Sequence, residues 1–221
     1  MPINNIFLSV SELPETIPLF PLPATVLFAR GDITLNVFEP RYIQLIDDVL
    51  RSNRLIGIIQ PSPGSEDTPL PELERVGCLG RVTALQETGE GNYLISLTGI
   101  CRFRIVDELY VHTPFRQVTA AWQEFSEDLI ANAGADKVDR PRVMATLKDF
   151  LEASELEADW AGIRKASNEA LVNALCMMSP YETREKQALL EAPDLQQRAE
   201  MLIAITEMEL AKGNASDNTV Q

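Results

Sequence analysis

From Ile17 to Trp122 the apolar residues come in short runs broken by Gly, Pro and charged turns, a period that predicts strands and not long helices. The clearest runs are Arg54–Gln60, Val76–Gln86, Asn92–Thr98 and Ile100–Leu109. Between the second and third lies ETGEGN, where Gly89 and Gly91 permit the positive φ of a hairpin loop, so an antiparallel pair is expected there. One helix interrupts the strands: Pro40 suits its first turn, and Tyr42, Leu45, Ile46, Val49 and Leu50 form an apolar stripe. The segment PLFPLP, with prolines alternating with apolar residues, reads as an extended strand at a sheet edge or a polyproline-II-like entry. After Trp122 the period lengthens. Val143, Leu147, Phe150 and Leu151 mark a helix entered at Asp139 and Pro141, and Leu171, Val172, Leu175 and Met178 mark another. Ser179-Pro-Tyr-Glu182 has the form of a capping box opening a third helix through TREKQALLE. Asp194 caps a last helix whose stripe is Leu195, Ala199, Leu202, Thr206 and Leu210, with Gly213 as its stop.

Residues 61–75 hold four prolines and a cluster of acids, a composition that predicts a long mobile loop. The chain therefore divides into a β-rich region over 1–122, a helical bundle over 123–213 and a disordered tail over 214–221. This is an α+β organisation: a mostly antiparallel β region with one inserted helix, followed by a C-terminal α-helical bundle.

Charge narrows the function classes. The net charge is −14, and residues 1–120 contain nine Arg, no Lys and fourteen acids, so neither half offers the basic face that nucleic acid requires. The N-terminus lacks a positive region and an unbroken apolar run, and no stretch is long enough to span a membrane, which predicts a cytoplasmic protein. Cys78, Cys101 and Cys176 are too widely spaced for a zinc knuckle or CxxC and read as buried thiols.

No phosphate-binding GxxxxGK[ST] and no GxSxG elbow occurs. The lone His112, in the strand-like YVHTPF, cannot hold a metal without partners at ligand spacing, and acid pairs such as Asp47-Asp48 and Asp107-Glu108 read as solvated faces. No cofactor, metal or catalytic residue is expected. The segment with most information is Ile17–Tyr42, ending in Glu39-Pro40-Arg41-Tyr42, where Glu39 is placed to cap the helix. Arg41 has two readings: an ion pair with a nearby carboxylate, or a clamp on a ligand carboxylate.

The PLFPLPxxVLF opening, the FEPRY helix start, VGCLGRV followed by GNYLISLTGICRFRI, and KQALLEAPDLQQRAEMLIAI together resemble the N-terminal domain of the ATP-dependent Lon proteases, in its short stand-alone bacterial form. The resemblance covers roughly residues 15–212. It implies a PUA-like β pseudobarrel followed by a helical subdomain, a region that in Lon helps recognise unfolded substrates. The Lon ATPase and Ser–Lys protease parts have no counterpart in this chain, so the resemblance implies no enzyme.

A non-catalytic module that recognises exposed peptide segments of unfolded or partly folded proteins is therefore expected, as an adaptor in protein quality control with a protease among its partners. Its candidate binding residues are Phe20, Phe38, Arg41, Tyr42, Trp122, Phe125 and Trp160, at a sheet edge near PLFPLP and in a cleft between barrel and bundle. The alternative is an RNA-binding protein, since PUA-like barrels elsewhere bind RNA; the absence of Lys before Lys137 opposes it.

Overall fold

The computed structural model describes residues 6–217 apart from 66, 67, 69, 90, 155 and 156, with side chains as far as residue 212. Two compact units are present, one built from the residues up to Ala131 together with Tyr181–Leu190, the other from Asn132–Pro180 and the residues from Glu191 on.

The first unit is a six-stranded sheet. Its strands are β1 (Thr16–Pro21), β2 (Asp32–Val37), β3 (Leu55–Ile59), β4 (Val76–Thr88), β5 (Asn92–Glu108) and β6 (Gln117–Ala121), with helix α1 (Pro40–Leu50) inserted after β2. Their order is β2-β5-β4-β3-β1-β6, and a further pairing brings β6 back onto β5, so β5, β4, β3, β1 and β6 close into a ring that leaves β2 outside. Only β1–β3 is parallel among the pairs described. This is the pseudobarrel that the family resemblance implies. Its interior is filled by Ile17, Leu19, Leu79 and Phe103, all fully buried, with Gly57 of β3 facing them, while Ile56 and Ile58 are buried on the opposite face of that strand.

The strand predicted to be an edge is not one. β1 pairs with β6 through Thr16–Pro18 and with β3 through Leu19–Pro21, changing partner midway. Proline removes a donor on one side of a strand at a time, and each half of β1 is asked for only one side. Among the described residues the free edge is β2, which pairs there with β5 alone.

Two glycines set how closely the ring closes. A Cβ on Gly99 would lie 2.0 Å from the carbonyl oxygen of Phe28, and one on Gly77 would lie 2.5 Å from that of Ile58. Only a residue without a side chain lets those backbones meet.

The 61–75 segment does not run free. Pro61 bridges Leu73, the Ser62 N–H donates to the Glu72 carbonyl at 2.7 Å, and the Glu74 N–H donates to that of Gln60 at 2.9 Å. Its described residues thus double back on a hydrogen-bonded stem.

In the second unit α2 (Arg140–Ala153) opens as predicted: Asp139 accepts from the Arg142 N–H at 3.1 Å and proline stands in the first turn. α3 (Trp160–Lys165), α4 (Asn168–Met178) and α6 (Leu195–Asp217) follow. On α6 the stripe Leu195, Ala199, Leu202 and Thr206 is buried. That helix continues through Gly213, the expected stop, to Asp217, and residues 218–221 of the expected tail lie outside the described residues. α5 (Thr183–Glu191), most of which belongs to the sheet unit, begins four residues after Ser179, which ends α4 instead, its N–H donating to the Leu175 carbonyl at 3.0 Å.

Candidate functional site

On the sheet unit a groove of about 210 Å³ forms where the end of β1, the start of α1, the 61–75 segment and the turn before β6 meet. Five prolines line it, Pro21, Pro23, Pro61, Pro71 and Pro114, and none can donate an N–H. Its donors are side chains: Arg41, Tyr42 and Arg116.

Each is held. Tyr42, on the buried face of α1, stacks on Phe20 with ring centroids 4.2 Å apart. Burial raises its phenol pKa, with Arg41 opposing, so the hydroxyl stays a donor at neutral pH. The Arg41 guanidinium sits 4.6 Å above the Tyr42 ring and pairs with Glu39 at 2.8 Å. Of its two readings, the ion pair is the one present. Glu39 is the N-cap residue by position, but its carboxylate faces Arg41 and makes no capping bond. Arg116 forks onto Glu108 and reaches the Pro71 carbonyl at 2.6 Å, fastening the return limb of the 61–75 segment to the groove wall. The result is a trough of mixed polar and apolar lining whose two cations are already matched by carboxylates.

The predicted residues divide into four places. Phe20, Arg41 and Tyr42 come together at this groove. Phe38 stands 62% exposed just beyond β2. Trp122 and Phe125 are buried in the sheet unit: the Trp122 indole N–H donates to the Pro14 carbonyl at 3.2 Å, and its ring meets Phe103 edge-on. Trp160 belongs to the second unit, half-buried at the start of α3, where Asp159 caps the helix. His112 lies outside the strands, in the exposed bend between β5 and β6, with its ring edge-on to Tyr110. The three cysteines are buried and unbridged. Among the described residues no cluster of His, Cys, Asp and Glu could hold a metal ion, and no helix is long and apolar enough to cross a membrane.

Sequence reasoning missed the polar interior beside the ring. Arg102 is 3% exposed, donates twice to Asp128 at 2.9 Å and once to the Leu190 carbonyl at 2.9 Å, and lies over the Phe125 ring at 4.5 Å. Gln187 donates to the Val76 carbonyl and accepts from Gln60, fixing α5 to the sheet. The signal was present in CRFR, where an arginine stands between two core residues.

A closed, mostly antiparallel ring of strands joined to a helical unit is a fold found in N-terminal domains of Lon proteases. The structure matches that of the Lon N-terminal domain protein from Xanthomonas campestris with a TM-score of 0.62 at 22% identity, covering 86% of this chain and 97% of that one. It matches the N-terminal domain of the Mycobacterium avium complex Lon protease with a TM-score of 0.59 at 16% identity, covering 87% and 98%. In sequence it is 29% identical to Lon protease 2 of Sorangium cellulosum over 89% of this chain and 25% of that protein. It is 27% identical to the Lon protease of Desulfosudis oleivorans over 86% and 23%. The chain belongs to the ATP-dependent protease La (LON) substrate-binding domain family, whose model matches residues 16–207. It spans about a quarter of the length of these curated relatives.

Proposed function

We propose that this protein is a non-catalytic recognition module that holds exposed segments of unfolded or partly folded proteins, acting in the cytoplasm as an adaptor in protein quality control. The observation that carries this reading is the proline-walled groove of a substrate-binding-domain fold. Its walls offer apolar rings and carbonyls, and its few donors suit the carbonyl groups of an extended peptide. Because Arg41 and Arg116 are each engaged by a carboxylate, phosphates would have to displace Glu39 and Glu108, which favours polypeptide over RNA.

The test is fluorescence anisotropy with a labelled, permanently unfolded polypeptide. The wild type is expected to saturate in the range of about 10–100 μM, and Arg41→Ala to weaken binding several-fold without loss of folding. Absence of saturable binding overturns the reading. Unchanged affinity in Arg41→Ala removes the groove from it.

A further inference from the structure

β2 ends the sheet without the devices that keep such edges solitary. It contains no proline and no lysine, and its register with β5 runs unbroken from Asp32 to Val37. Two prolines, Pro18 and Pro21, sit instead in β1, which is covered.

Ladder alternation fixes which groups β2 leaves open. The Gly99 N–H donates to the Gly31 carbonyl at 2.8 Å, one rung beyond the Asp32–Thr98 pair. Gly31 therefore faces β5, and so do the backbone groups of Ile33, Leu35 and Val37. The N–H and C=O of Asp32, Thr34 and Asn36 point away from the sheet. Side chains follow the same parity: Asp32, Thr34 and Asn36 are exposed, while Ile33 and Leu35 are half-buried.

The sequence along this edge, Asp-Ile-Thr-Leu-Asn, has the same chemical order from either end: polar, aliphatic, Thr, aliphatic, polar. That is the requirement for antiparallel pairing with an identical strand about a two-fold axis through Thr34. In this register Thr34 faces Thr34 of a second copy and Asp32 faces Asn36, so the one acid meets an amide and not its own kind. Ile33 faces Leu35, covering the aliphatic surface that the parent sheet leaves half open. The pairs at Asp32, Thr34 and Asn36 would exchange about six main-chain hydrogen bonds. Moving the axis to Asp32 sets two acids against each other, and moving it to Ile33 or Leu35 shortens the overlap of the open groups.

We infer that β2 is a self-association edge: two copies of this chain pair β2 to β2 in antiparallel register about Thr34, joining two sheets into one. This stands independently of the peptide-binding reading, which concerns the groove.

Sedimentation equilibrium of the full chain tests it. The wild type is expected to be a reversible dimer at about 100 μM, a concentration suited to a small interface. Thr34→Pro removes an outward N–H and no bond to β5, so it should give a folded monomer. Thr34→Lys and Thr34→Glu each place like charges across the axis and should each weaken self-association by at least about five-fold, whereas an equimolar mixture of the two should restore it. A monomeric wild type overturns the inference. So does a dimer that the charge pair neither weakens nor rescues, or a monomer in which Thr34→Pro abolishes binding of an unfolded polypeptide, which would make β2 a client site. Should Thr34→Pro fail to fold, the charge pair alone decides.

Discussion

β4 and β5 run side by side for most of their length, yet their two halves live in different surroundings. Residues 76–80 of β4 are all buried within the ring, whereas 83–87 are exposed; on β5 the buried run 101–103 gives way toward Asn92 to a half-open face bordered by β2. One hairpin thus serves as barrel wall at one end and as a projecting flap at the other. The lesson is that a strand's energetic role is set residue by residue by what covers it, since the ladder bonds are of the same kind throughout.

That contrast can be broken most sharply at Arg102. Arg102→Ala removes the buried guanidinium bonds to Asp128 and to the Leu190 carbonyl beside the ring, and should cost about 3–5 kcal/mol in urea unfolding. Thr34→Ala in the flap should stay within about 0.5 kcal/mol. Comparable losses would erase the distinction. Gly99→Ala tests the border between the two halves: with the Phe28 carbonyl 2.0 Å from the new Cβ, the backbone must shift, at an expected cost of about 1–3 kcal/mol read as a lower urea midpoint. The smallest effect lies on the rim. Hydrogen bonds from Arg104 hold the Glu124 carboxyl below its ordinary value. A lowered folded pKa contributes stability that is present above the unfolded value of about 4.3 and is lost as pH falls through the folded pKa. Wild type minus Arg104→Met should therefore shrink below pH ~4, from a difference already under about 1 kcal/mol because both side chains face solvent.

Much of this was legible from local chemistry. Of the two glycines of ETGEGN, Gly91 takes the positive φ in the β4–β5 hairpin and Gly89 does not, the stripe on α1 is buried at Tyr42, Leu45, Ile46 and Val49, and Asp139 caps α2. What escaped depends on neighbours distant in sequence. The prolines of β1 were compatible with an edge or with a strand that changes partner, and only β3 and β6 decide between them. Ser179 had the spacing of a helix opener, but its N–H was claimed by the Leu175 carbonyl of the helix before it. Gly213 weakens a helix without ending it unless the chain turns left-handed there. At the candidate site, Arg41 and Tyr42 were readable because they open the helix, and Phe20 because it lies in PLFPLP. Arg116 and the prolines facing them, far along the chain, were not. The Arg102–Asp128 and Gln60–Gln187 pairings likewise span 26 and 127 residues, beyond any motif.

The sheet unit fastens its carboxylates with arginine: Arg102 to Asp128, Arg104 to Glu124 and Arg116 to Glu108. A guanidinium keeps its charge at alkalinities where an ammonium group begins to release its proton. These clasps should then outlast mild base, their ion pairs still intact as the pH rises toward ~10.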